Sequence, residues 1–281
     1  MTTVRCLQCG TVNLVANEVC TLCGAELHAT PRPDDDPSPR VYTNDIPPYT
    51  GASDGIGPTF RLFKNNFWLI AKIVFVIVAP FEVFKALSVR QAQIDWQLSL
   101  GLFVMQLTCN FLVVPALFYA LLKVTQTGNA PSLNEAYRWS LGKLPKLALA
   151  SVLSWVITGL GFLFLIIPGI ILSIVFSLVY PIAVFEKGSA SDALRRSAQL
   201  TRGHRWNIFL AYFVIGLLVG VVNMGTGGVL GILILNGISF WPLEVAVAIV
   251  TDVFAEAFTV LSLVIYVGIL RTLASGQSVI E

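Results

Sequence analysis

The chain has 281 residues, of which 56% are hydrophobic and only 12% are charged, and its formal net charge is +2. This composition excludes a single soluble globule of ordinary kind and is typical of a polytopic membrane protein. Basic residues are concentrated beside the hydrophobic runs. That distribution favours contact with anionic lipid headgroups and argues against nucleic acid as a partner.

Two C-x2-C-G motifs lie at residues 6–10 and 20–24. Each motif can offer two thiolates from one tight turn to a tetrahedral zinc ion, whereas redox or disulfide chemistry is a weaker reading of the same spacing. We therefore predict a zinc ribbon over residues 1–27, with zinc as cofactor. The predicted ligands are Cys6, Cys9, Cys20 and Cys23. The module is similar to short ribbons at the ends of many bacterial and archaeal proteins, which implies that it docks a protein partner.

Residues 28–57 carry six of the 14 prolines and an acidic triplet at 34–36, without a sustained apolar period. This composition predicts a disordered tether, because too little apolar surface is available to offset the entropy of ordering. The tether would let the ribbon move relative to the remainder of the chain.

Six hydrophobic segments follow, and each approaches or exceeds the ~20 apolar residues that span a bilayer as a helix. They predict an all-α polytopic membrane domain over residues 58–276. Their approximate cores are 68–87, 98–122, 147–166, 169–185, 208–224 and 245–270. Residues 225–236 form a glycine-rich apolar stretch that is compatible with a re-entrant turn, a helix extension or a loop.

Basic residues fall in alternate connections between these segments. Between the second and third segments and between the fourth and fifth lie seven that we expect to bind anionic lipid or a partner: Arg138, Lys143, Lys146, Arg195, Arg196, Arg202 and Arg205. The opposite connections hold only Lys85 and Arg90. The positive-inside rule then predicts that both termini are cytoplasmic, in the inner membrane of a bacterium or archaeon. Thiolate zinc ligands, which need a reducing compartment, agree with this orientation.

The two basic connections repeat one pattern, at 132–140 and 189–197: a capping Ser, an acid three residues later, Ala, a large apolar residue, Arg and Ser. Both copies are predicted to open as capping boxes. The repeating unit is an interfacial helix followed by a transmembrane hairpin, and three units give six spans. A first copy is expected near Gly57, where no capping box is visible.

One set of residues resembles a known family. Pro168-Gly169 at the start of a span and Pro181 within it precede Glu186, the run 193–197, the run 200–203 and Trp206. Together they resemble the signature of the six-span membrane domain attached to some glycerophosphoryl diester phosphodiesterases and of related stand-alone bacterial membrane proteins. The resemblance covers about residues 57–275. It implies a six-helix membrane fold, but not the hydrolase activity, which in that family belongs to a separate soluble barrel.

Three acids, Glu244, Asp252 and Glu256, lie on roughly one face of the last segment. Ionisable groups inside a span are costly and mark a polar interior or an ion path, although Glu244 and Asp252 would be fully wet if they lie at the outer interface. No catalytic motif is present in the sequence, so we do not expect an enzyme. We expect a non-catalytic scaffold or regulator; the alternative is a solute or ion transporter that uses these acids. Continuous apolar spans three to five favour the scaffold, and a cavity reaching Glu256 would reverse that preference.

Overall fold

The computed structural model describes residues 3–5, 12–14, 46–91, 96–236 and 240–274. Two short strands, β1 (Thr3–Arg5) and β2 (Val12–Leu14), pair antiparallel, with Val4 opposite Asn13. All other regular elements in these ranges are helices. The four predicted zinc ligands and residues 28–45 of the predicted tether lie outside the described residues.

The helices follow the predicted repeat of one short helix and one hairpin. The first unit contains α1 (Ala52–Asn65), α2 (Phe67–Gln91) and α3 (Trp96–Thr127). The second contains α4 (Leu133–Leu141), α5 (Leu144–Phe164), α6 (Ile166–Val175) and α7 (Val179–Phe185). The third contains α8 (Ala190–Leu200), α9 (Arg205–Leu235), α10 (Trp241–Ala255) and α11 (Ala257–Ala274).

Six stretches of these helices are long and apolar enough to cross a membrane, which confirms the predicted multi-pass fold. They are Phe67–Ser88, Trp96–Thr127, Leu144–Phe164, Ile166–Phe185, Arg205–Leu233 and Trp241–Ala274. Large apolar side chains are exposed around the bundle, most strongly at the corner between α5 and α6. Lipid is the environment that such a surface fits.

The fourth and sixth spans are interrupted, which the sequence analysis did not predict. The fourth breaks at residues 176–178, and the sixth breaks at Glu256. Pro181 explains the first break, because proline lacks an amide donor and its ring clashes with the carbonyl four residues earlier, here that of Ser177. Residues 225–236 resolve the alternatives left open by the sequence: they extend α9 as far as Leu235.

The first repeat begins earlier than expected. Ile46 and Tyr49 are buried and α1 starts at Ala52, so residues 46–57, assigned above to the tether, pack on the helical body. The Asp54 carboxylate accepts hydrogen bonds from the backbone amides of Thr50 at 2.9 Å and Gly51 at 3.0 Å. The Asp54 carboxylate therefore caps the N-terminus of α1, the short helix of the first repeat.

The other two copies are capped by serine, as predicted, but only one is a full capping box. Ser189 Oγ accepts from the Asp192 amide at 3.3 Å, and the Asp192 carboxylate accepts from the Ser189 amide at 2.9 Å. Ser132 Oγ accepts from the Glu135 amide at 3.2 Å, but the Glu135 carboxylate turns to Lys123 at 2.5 Å and to the Tyr119 hydroxyl. These contacts hold α4 against α3.

Helix α11 lies at the centre of the bundle. Its residues 260–270 are all buried, and it packs against α1, α3, α7, α9 and α10. The hairpin of α5 and α6 lies beside this core and is held by a close approach of two glycines. A Cβ added at Gly161 would lie 3.2 Å from the Gly169 Cα. Small residues permit such contacts between helices in lipid.

Candidate functional site

A cavity of about 690 Å³ lies inside the bundle, between the two interrupted spans. Helices α3, α5, α6, α7, α9 and α11 contribute to its wall, as do residues 176–177 of the first break and Glu256 of the second. The volume falls within the ~300–1,000 Å³ typical of small-molecule sites. Residues from all three repeats therefore meet around one enclosed space.

Glu256 is the only charged side chain among the described residues that line this cavity. It separates α10 from α11, and its backbone amide still reaches the Asp252 carbonyl at 3.3 Å, so the chain turns tightly and continues. The residue is 8% exposed. The Thr259 side chain hydrogen-bonds to the carboxylate, but Oε2 has no hydrogen-bond partner among the described residues.

Hydroxyl groups form the remaining polar part of the wall. They come from α5, the first break, α7, α9 and α11, and include Ser154, Thr158, Ser177, Tyr180, Tyr212 and Ser262. The Tyr212 hydroxyl lies 3.4 Å from the Ser177 carbonyl, the group freed by Pro181. Ser177 Oγ, like Glu256 Oε2, is buried without a partner in the described part of the chain. Two unpaired buried polar atoms in one cavity indicate a place for a ligand or water.

Aromatic rings form much of the apolar wall. Phe111 of α3 stacks on Trp155 of α5, with ring centroids 6.2 Å apart. Tyr212 of α9 stacks on Phe258 of α11, also at 6.2 Å. These pairs join helices across the cavity, so the rings both support the wall and face the space it encloses.

The cavity opens onto the outer, apolar surface of the bundle. Trp155, Ile170 and Phe213 line it and are 41%, 36% and 51% exposed. A second hollow, of about 370 Å³, shares Ile170, Ile174 and Phe209 with the cavity and continues between α6 and α9 to Arg205 and Trp206. Access is therefore available from the surface that lipid would cover.

The structure separates the three predicted acids. Glu256 alone lines the cavity, whereas Asp252 is half-buried and lies near Glu82 and Lys85 of α2. Glu82 and Lys85 form a local ion pair at 2.5 Å. Glu244 lies in the first turn of α10 and is also half-buried. Of the three acids, only Glu256 therefore belongs to the wall of the cavity.

The predicted basic surface divides into two groups. Arg138, Arg195, Arg202 and Arg205 are exposed, and Lys143 lies over the Trp139 ring at 5.2 Å. Lys146 and Arg196 instead contact Glu186, the residue after α7. Lys146 Nζ donates to the Glu186 carbonyl at 2.5 Å, and Arg196 Nε lies 3.5 Å from its carboxylate. These two cations therefore hold the protein together and are not available to lipid in this arrangement.

Glu135 and His204 lie outside the spans, in environments that shift their pKa in the folded protein. The Lys123 ammonium and the Tyr119 hydroxyl, both hydrogen-bonded to the carboxylate, hold the pKa of Glu135 below its usual range. His204 is buried edge-on against Tyr49, with ring centroids 5.6 Å apart. Burial lowers the pKa of His204, because the charged form loses its hydration.

No group of three or more His, Cys, Asp or Glu side chains in the described ranges could hold a metal ion. The predicted zinc ligands fall outside those ranges, so the zinc ribbon stays a prediction. The strands β1 and β2 flank the first pair of cysteines, Cys6 and Cys9, on both sides.

A family model matches residues 77–267, which is more than half of the chain and includes both interrupted spans. The chain belongs to the Uncharacterised protein family (UPF0259). No curated protein and no solved structure matches it. The resemblance to the membrane domain of glycerophosphoryl diester phosphodiesterases stays a prediction, and UPF0259 membership does not itself indicate an activity.

In this UPF0259 member, sequence reasoning found Glu256 but missed the hydroxyl wall around it. Thr158, Ser177 and Tyr212 come from spans three to five and bring hydroxyl groups to the cavity wall. Isolated hydroxyl residues in an apolar run carry no local signal. Only the packing of several helices shows that they face one cavity.

Proposed function

We propose that this protein binds a small amphipathic solute in the cavity beside Glu256 and carries it within or across the membrane. The observation that supports this most is the cavity itself, which lies between two interrupted spans and contains a carboxylate oxygen without a partner among the described residues. A buried carboxylate without a full set of partners is costly, and a bound solute would offset that cost.

The interrupted helices favour transport over a purely structural role. Irregular backbone at membrane depth is tolerated where it is buried in protein or lines a cavity, and the sites of many secondary transporters are built from discontinuous helices. Here the breaks occur in the second span of the second and third repeats, and both contribute to the cavity wall. Neighbouring helix segments can move separately at such breaks.

The experiment compares what the purified protein retains from native membranes. Native mass spectrometry of the full chain in nanodiscs should detect a bound small molecule in the wild type. Ser262→Phe, which places a ring in the cavity, should abolish retention; Val221→Phe, on the exposed face of α9, should not. Absence of any bound molecule from the wild type, or equal retention by both variants, would contradict the proposal.

A second function, docking of a protein partner at the cytoplasmic face, is favoured by the pairing of β1 with β2 around Cys6 and Cys9. A hairpin of this kind suits a zinc ribbon. The exposed Arg195 and Arg202 would add contact with anionic lipid, at about 1 kcal/mol per cation. We expect one zinc ion per full-length chain and its loss in Cys20→Ser, measured by elemental analysis. A wild-type chain purified without chelators that carries no zinc would contradict the ribbon.

A further inference from the structure

We infer that the cavity selects a hydrophobic organic cation bearing a single positive charge. This inference rests on the proposed function and specifies the class of solute. It follows from three features of the described residues: the charge of the wall, the aromatic rings, and the position of the opening.

Among the described residues, the wall holds one acidic side chain and no basic one. Glu256 supplies the only ionisable carboxylate, and Lys, Arg and His are absent from the described lining residues. Asp252 lies one helical turn away but does not line the cavity. A cation is the ligand that a carboxylate at Glu256 attracts, and it would also give Oε2 the partner that this atom lacks among the described residues. One carboxylate in the wall fits one positive charge.

The rings provide a surface for the same charge. Phe111 and Trp155 stack on one side of the cavity, and Tyr212 and Phe258 stack on another. Aromatic faces attract cations, and they do so more strongly where water is excluded. They also bury apolar substituents, so a quaternary or bulky cation suits the wall better than a small hydrated ion.

The opening restricts the route of entry. Because Trp155, Ile170 and Phe213 border the cavity at the apolar outer surface, a solute dissolved in the bilayer can reach Glu256 without crossing water. The adjoining hollow leads along α6 and α9 to Arg205 and Trp206 and contains only apolar residues before that end. Hydrophobic cations partition into bilayers, and hydrophilic cations do not.

The test uses three probes of similar shape and different charge: tetraphenylphosphonium, tetraphenylborate and neutral triphenylphosphine oxide. Binding to the full chain in nanodiscs of zwitterionic phosphatidylcholine is measured by equilibrium dialysis, with empty nanodiscs as the reference. The wild type should bind the phosphonium at least about tenfold more tightly than the borate. Glu256→Gln should weaken phosphonium binding by about tenfold or more and should not weaken borate binding.

Two further variants make the result specific. Glu244→Gln removes an acid outside the cavity and should keep wild-type affinity for every probe. Trp155→Leu removes a ring from the wall and should weaken binding of the phosphonium roughly threefold or more, with a smaller effect on binding of the neutral oxide. This second variant tests the inference independently if Glu256→Gln fails to fold.

The outcomes separate the inference from the proposed function. Equal binding of all three probes, sensitive to Ser262→Phe, would overturn selection by charge and leave a cavity for hydrophobic solutes in general. Preference for the neutral oxide would show that Glu256 acts as a hydrogen-bond donor and would also overturn it. Binding of no probe, together with no retained molecule in the native membrane experiment, would overturn both.

Discussion

Ser197→Ala tests how the interrupted fourth span is held in place. Val175 is the last residue of α6, so its carbonyl lacks the backbone partner that a continuous helix would provide. Ser197 Oγ of α8 donates to this carbonyl at 2.7 Å, and Thr201 Oγ1 lies farther away at 3.5 Å. Both side chains are fully buried, so water cannot replace the lost donor.

The repeat offers a matched control. Ser140 occupies the same position in α4 and donates to the Leu112 carbonyl at 3.1 Å, but Leu112 lies inside the uninterrupted helix α3. An unsatisfied buried carbonyl costs about 1–3 kcal/mol, and hydrogen bonds between membrane helices contribute ~0.6 kcal/mol on average and up to ~1.7. We therefore expect the free energy of unfolding to fall by about 1.5 kcal/mol in Ser197→Ala and by about 0.5 kcal/mol in Ser140→Ala.

The two variants are compared by thermal unfolding in one detergent, followed by far-UV circular dichroism. At roughly 2–4 °C per kcal/mol for a chain of this size class, Ser197→Ala should lower Tm by about 3–6 °C and Ser140→Ala by about 1–2 °C. Both changes put Ala for Ser in a helix, so the small propensity gain cancels from the difference. If Ser140→Ala lowers Tm by as much as Ser197→Ala or more, the hydrogen bond from Ser197 to the Val175 carbonyl is not what stabilises the interrupted span.

Two other predictions concern the second repeat. Gly161→Ala should destabilise the protein by about 1–3 kcal/mol, since its Cβ would lie 2.6 Å from the Leu172 side chain and 3.2 Å from the Gly169 backbone. The control Gly159→Ala meets nothing within 4 Å and should raise Tm; a similar loss in both variants would refute the packing argument. The pKa of Glu135 is lowered in the folded state, so the ionised carboxylate stabilises the fold. Its contribution to the free energy of unfolding should be complete above about pH 4.3, the usual pKa of Glu, and should be lost as the pH falls through the lowered pKa. Titration of Tm from pH 7 to pH 3 should therefore show an acid-dependent loss that is smaller in Glu135→Gln, and parallel curves would exclude a contribution from this ion pair.

The features that the sequence predicted well are local ones. Apolar length determines a span, and a serine followed by an acid three residues later determines where α4 and α8 begin. The same reasoning missed the start of α1, because Gly51 stands at the cap and the capping acid is Asp54. Gly51 stands where the sequence pattern has serine, but the Asp54 carboxylate still accepts the hydrogen bond from the Gly51 amide.

The breaks and the cavity could not be predicted in this way. The fourth span reads as a continuous apolar run, and Pro181 alone does not distinguish a kink from a break. Glu256 was identified as costly inside a span, but its environment depends on Thr158, Ser177 and Tyr212 from other helices. Burial of His204 likewise depends on Tyr49, more than 150 residues earlier in the chain. These contacts between distant segments have no periodic signature.

Helix α8 contacts the fourth span, which forms part of the cavity wall, on either side of that span's second segment. Ser197 holds the last carbonyl of α6, one residue before the break that contributes Phe176 and Ser177 to the cavity wall. At the other end of the same span, Glu186 joins Arg196 of α8 to the Tyr266 hydroxyl of α11, at 3.5 Å and 3.1 Å. A displacement of α8 must therefore alter the wall of the cavity or break one of these contacts. Because α8 also exposes Arg195, lipid or a partner bound at that helix would act on the same span that borders the cavity.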